Sequence, residues 1–228
     1  GTLSTKTITG TENITNNGTL NATTSVEANN IVNSGEITTP TVKANAELTN
    51  AENATIIATN GSVTVGTNLT NDGTLSTKTV TVTQNITNSG SMNVATTNVG
   101  GNLIDNGTWN SDGIINFVGT NDQNFDSNPS TTYVLINVEK TGGILTLAND
   151  LNAKDFVLKG GDLFINKTLT TQRDVILLGK KYSIKDSVTN VDLFDYKGEI
   201  EFEILDATLL GTKVQIADDA SIFVGKNF

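Results

Sequence analysis

The side chains suited to acid–base chemistry crowd into the last quarter of the chain. Asp186, Asp192, Asp195, Glu199, Glu201 and Glu203 lie there, and the single arginine, Arg173, stands beside Asp174. Clustered carboxylates with a nearby cation are what cleavage of a sugar polymer requires. The spacing argues for a plainer role. Glu199, Glu201 and Glu203 alternate with Ile200, Phe202 and Ile204, which is the period of a strand with one wet face. Asp218-Asp219 reads as a turn. The chain has no Cys and no His. That excludes thiol and imidazole catalysis, thiolate or histidine metal sites, and disulfides. The sequence therefore assigns no catalytic, cofactor-binding or metal residue and no cofactor. A polysaccharide-acting enzyme stays as a minor alternative.

The residues that could do other work recur at fixed intervals. Gly1-Thr2-Leu3-Ser4-Thr5-Lys6-Thr7-Ile8-Thr9 returns as Gly73-Thr74-Leu75-Ser76-Thr77-Lys78-Thr79-Val80-Thr81, 72 residues later. Gly1, Gly18 and Gly35 are 17 apart, as are Gly73, Gly90 and Gly107. The interval from Gly35 to Gly73 divides into units starting at Gly35 and Asn53, with an insertion near Asn60-Gly61-Ser62. Aligned, the third position reads Leu3, Leu20, Ile37, Leu75, Met92, Trp109. The eighth reads Ile8, Ser25, Val42, Val80, Thr97, Ile114, and the fourteenth Ile14, Ile31, Leu48, Leu69, Ile86, Leu103. The sixteenth reads Asn16, Asn33, Asn50, Asn71, Asn88, Asp105.

One unit offers two or three apolar side chains, too few to bury a core. Stacked units place like over like, and stacking is how solenoids solve this. The expected fold is all-β, a right-handed parallel β-helix with coils of 17–22 residues. Strands about 4.8 Å apart would let the sixteenth-position amides bond into a ladder. The glycine opening each unit is expected to supply a positive φ.

Composition agrees. The apolar fraction is 36%, and the Asn, Thr and Gly that replace it are weak helix formers. All the aromatic residues lie at or beyond Trp109. Later segments carry longer apolar runs, such as Tyr133-Val134-Leu135-Ile136-Asn137-Val138, with turns at Gly142-Gly143 and Gly160-Gly161 and a loop at Pro129. Two regions are expected. Residues 1–128 form Asn/Thr/Gly coils; residues 129–228 form wider, aromatic-containing coils with a C-terminal cap.

Two further patterns invite a function. The seventh position reads Thr7, Thr24, Thr41, Thr59, Thr79, Thr96, and a flat threonine row is the hallmark of an ice-binding surface. Its neighbours Lys6, Thr23, Pro40, Lys78 and Ala95 vary, which makes ice binding a minor alternative. Sequons begin at Asn13, Asn21, Asn53, Asn68, Asn85 and Asn166, where secreted chains accept glycans.

The pattern Asn13-Ile14-Thr15-Asn16-Asn17-Gly18-Thr19-Leu20 resembles the coils of filamentous-haemagglutinin-like adhesins and autotransporter passenger domains. The stretch from Gly113 to Phe125, followed by Tyr133 to Gly143 and Phe156-Val157-Leu158-Lys159-Gly160-Gly161-Asp162-Leu163, is similar to a unit of very large bacterial surface proteins. The resemblance spans roughly residues 1–180. It implies an extracellular, cell-surface location and a stalk or passenger role in adhesion, with a host receptor or glycan as eventual partner. The alternative is a self-assembling subunit of a filament or surface layer, associating through solenoid ends. A net charge of −10 disfavours nucleic acid and anionic membranes. No run of about 18 apolar residues provides a membrane helix. The opening at a repeat boundary, without Met, suggests an excised or processed chain.

Overall fold

The computed structural model describes residues 1–110, 112–165, 167, 169–171, 175–177, 181–185, 188–189, 199–203 and 221–224. The described residues form strands and connecting turns, with no helix. Among the described residues the architecture is a parallel β-solenoid of about 9 coils of ~18 residues. The chain divides into two compact units, Gly1–Gly113 and Ile114–Phe228.

In the first unit each coil supplies three strand segments to three parallel stacks. The first stack aligns Leu3, Leu20, Ile37, Ile56, Leu75, Met92 and Trp109 in one column. The third aligns Ile14, Ile31, Leu48, Leu69, Ile86 and Leu103. From the second coil onward the third-stack apolar side chains are fully buried. Each such side chain contributes about 1.5–3 kcal/mol relative to exposure. Strand alternation then sets the rest. In Asn-Ile-x-Asn the Ile and the final Asn point inward, and the residue between them points out.

The second stack corrects the alignment read from sequence. Ile8 lies beside Val26, not Ser25, because the register slips by one residue between Thr5 and Thr7. The column runs Ile8, Val26, Val42, Val63, Val80, Thr97. Ile114 lies in the second unit beside Leu135, half-buried, while Ile115 is buried. The coil between Gly35 and Gly73 starts at Ala54, not Asn53: Thr55 pairs with Glu36 on one side and Thr74 on the other. The extra residues sit in two places. One is the turn after Asn50, where Asn53 has φ 63°. The other is the corner at Asn60, φ 55°.

The unit-opening glycines also differ from expectation. The positive-φ glycines among the described residues are Gly119, Gly143 and Gly161. Gly18, Gly35, Gly90 and Gly107 are required by contact instead. A Cβ on Gly35 would lie 2.1 Å from the carbonyl oxygen of Gly18, and one on Gly90 2.0 Å from that of Gly73. Backbone stacks on backbone there, with no room for a side chain.

The coils of the second unit are wider. Ile115 pairs with Ile136 and Ile136 with Phe156, and Phe125 pairs with Leu147. Thr132–Leu147 and Leu151–Ile165 are long strands that bend through glycine corners, with φ of 71° at Gly143 and 83° at Gly161. Pro129 lies in a turn, as read. Parallel pairing continues through Lys181–Lys185, Glu199–Glu203 and Ser221–Val224.

Candidate functional site

The expected amide ladder is present. The Nδ2 of Asn16 donates to Asn33 Oδ1 at 2.7 Å, Asn33 to Asn50 at 2.9 Å, Asn50 to Asn71 and Asn71 to Asn88 at 2.8 Å. Asn88 closes the series on the carboxylate of Asp105 at 2.7 Å. These side chains are buried. The same amides also donate to backbone carbonyls of their own turn and of the next coil, as Asn33 does to Gly35 and Thr55. Every rung thus ties two coils together inside the core. An unmade bond of this kind costs about 1–3 kcal/mol, against a net gain near 1 for making it.

A second ladder, missed in the sequence, runs along an outer edge in the opposite direction. Asn30 Nδ2 donates back to Asn13 Oδ1 at 2.8 Å, Asn68 to Glu47 Oε1 at 3.5 Å, and Asn85 to Asn68 Oδ1 at 3.0 Å. Backbone N–H groups of Glu47 and Asn102 donate to the amide oxygens of Asn30 and Asn85. The signal was present: Asn13, Asn30, Asn68, Asn85 and Asn102 each precede an inward Ile or Leu. Beside this ladder lies an open groove of about 470 Å³, lined by Thr49, Thr70, Thr87 and Ile104 with Asn68 and Asn85.

The threonine row also shifts. Thr7 aligns with Ser25, Thr41, Ser62, Thr79 and Thr96, so Thr24 and Thr59 are not members. The adjacent outward row is interrupted where Lys43 pairs with Glu27 across neighbouring coils at 2.5 Å. Two opposite charges replace hydroxyls at that point.

Of the sequons, those at Asn13, Asn68 and Asn85 fall in the outer ladder, where their amides already have partners. Asn166 lies outside the described residues, as do Arg173, Asp174, Asp186, Asp192, Asp195 and Asp218-Asp219. Glu199, Glu201 and Glu203 belong to a strand paired with Lys181–Lys185.

One buried cation was missed. Lys140 is 3% exposed, and its Nζ donates to the backbone oxygen of Asn121 at 2.6 Å and to Gln123 Oε1 at 2.5 Å. Burial lowers its pKa from the ordinary lysine value, with the charge of Asp122 opposing. Strand parity could have found it, since Ile136, Val138 and Lys140 share one face and all are buried.

No protein-family model, curated protein or solved structure matches this chain.

Proposed function

We propose that the chain is a non-catalytic structural segment of a surface-displayed bacterial adhesin, a stalk that carries a binding region outward. The internal ladder supports this reading most directly. Its six side chains bond coil to coil through the core of the first unit. Amides spent on identical neighbours hold a structure together without forming a centre at which a substrate could react. A spacer needs such uniformity, because its working property is the number of coils rather than any one of them. The extracellular setting rests on the likeness of the Asn-Ile-Thr-Asn coils to filamentous-haemagglutinin-like passengers.

The test is sedimentation velocity across protein concentration, paired with negative-stain microscopy. The stalk reading expects discrete monomers at every concentration. Concentration-dependent filaments of uniform width would replace it with a self-assembling subunit. Chain cleavage in a polysaccharide panel would overturn the non-catalytic reading.

A further inference from the structure

The neighbourhood of Lys140 goes beyond a stalk role and stands independently of it. Gln123, like Lys140, is buried, at 1% exposure. Among the described residues, no carboxylate lies at ion-pair distance from Lys140. Its oxygen partners are neutral: a backbone carbonyl and a primary amide. A buried ammonium held by neutral acceptors is costly, and burial shifts the equilibrium toward the free amine. A free amine is a nucleophile. Here it rests against an amide carbonyl from the coil before, and fixed proximity of this kind replaces a bimolecular encounter.

The corner is built tightly around this contact. A Cβ on Gly161 would lie 2.7 Å from Lys140 Cβ, and one on Gly143 would lie 2.6 Å from the carbonyl carbon of Asn121. Both glycines also hold positive φ, so other residues are excluded twice over. Asp122 Oδ1 accepts the N–H of Ile144 at 2.9 Å, which anchors a carboxylate at the same corner.

We propose that Lys140 and Gln123 form an intramolecular isopeptide bond. The lone pair of neutral Nζ attacks Cδ of Gln123, and the carbonyl π pair moves to Oε1. Collapse of the tetrahedral intermediate restores C=O and breaks the Cδ–Nε2 bond. One Nζ proton passes to the departing Nε2 within that intermediate, and ammonia leaves. The other stays on Nζ, where it donates to the Asn121 carbonyl. No oxidant, reductant or added co-reactant takes part. The product removes the buried ionisable group and joins two successive coils covalently.

Intact-mass measurement of the purified chain tests this directly and needs no variant. The expected mass is the sequence mass less one ammonia, and a digest should yield a branched peptide joining Gln123 and Lys140. Ammonia can also leave as succinimide at Asn17-Gly18, Asn60-Gly61 or Asn106-Gly107. Lys140→Met separates the two, because the deficit disappears if the bond is to Lys140. A full-length mass persisting after long incubation in mildly alkaline buffer would overturn the proposal and leave Lys140 a hydrogen-bonded amine. So would a deficit that survives in Lys140→Met.

Discussion

The two units solve one packing problem with different side chains. In Gly1–Gly113 most coils repeat every 17 residues, as from Leu3 to Leu20 and from Leu75 to Met92. That short circuit encloses a narrow interior. Leu, Ile and Val columns fill part of it, and the Asn ladder fills the rest while bonding along the stack. In the unit beginning at Ile114 the circuit lengthens, and Phe125 lies 22 residues before its partner Leu147. The wider interior holds rings. Phe117 and Phe125 meet at 5.1 Å between centroids, and Phe125 and Tyr133 meet edge-on at 5.3 Å. Such pairs add about 0.5–1.5 kcal/mol beyond their area. Coil length thus decides whether the core is completed by directional polar bonds or by aromatic volume.

That contrast is broken most severely at Phe125. Phe125→Ala should cost about 4 kcal/mol through lost burial and an unfilled cavity. Native-state hydrogen exchange should show the loss in Ile114–Phe117 and Thr132–Leu147, with the strands of Gly1–Gly113 protected as before. Uniform deprotection would mean the units do not answer separately. Asn71→Ala comes next, at about 3 kcal/mol, since it leaves the Asn50 amide and the Asn88 oxygen without their ladder partner. Exchange should rise in Leu48–Asn50 and Ile86–Asn88. A cost under about 1 kcal/mol would show that the apolar columns alone hold the first unit.

Much of this was legible in the sequence for one physical reason. A stack demands the same residue type at each level, so a fixed interval exposes the third, fourteenth and sixteenth positions at once. The errors came where backbone geometry departs from even spacing. Thr24 is an extra residue at a corner, and it moved the second column by one, from Val26 to Ser25. The two insertions around Asn53 and Asn60 each add length at a turn, where composition gives no unique boundary. The unit-opening glycines were expected to supply a positive φ and instead make room for the carbonyls of the preceding coil, a close approach that leaves no mark in the sequence distinct from a turn. Lys140 was hidden by its type, although its parity was visible. The carboxylates of the last quarter fall mostly outside the described residues.

The smallest effect offers the finest test of the apolar columns. Thr97 continues the column of Val63 and Val80, is fully buried, and its Oγ1 has no hydrogen-bond partner. A hydroxyl in that position has been stripped of water without compensation. Thr97→Val exchanges it for a methyl of similar size and should raise stability by about 1 kcal/mol, read from a chemical-denaturation midpoint at unchanged slope. A gain would show that the second stack tolerates a polar atom only as a penalty, unlike the third, where each buried amide is matched by the next. A loss instead would mean that the hydroxyl is satisfied by a bound water, and that the second stack, too, is held by directional bonds.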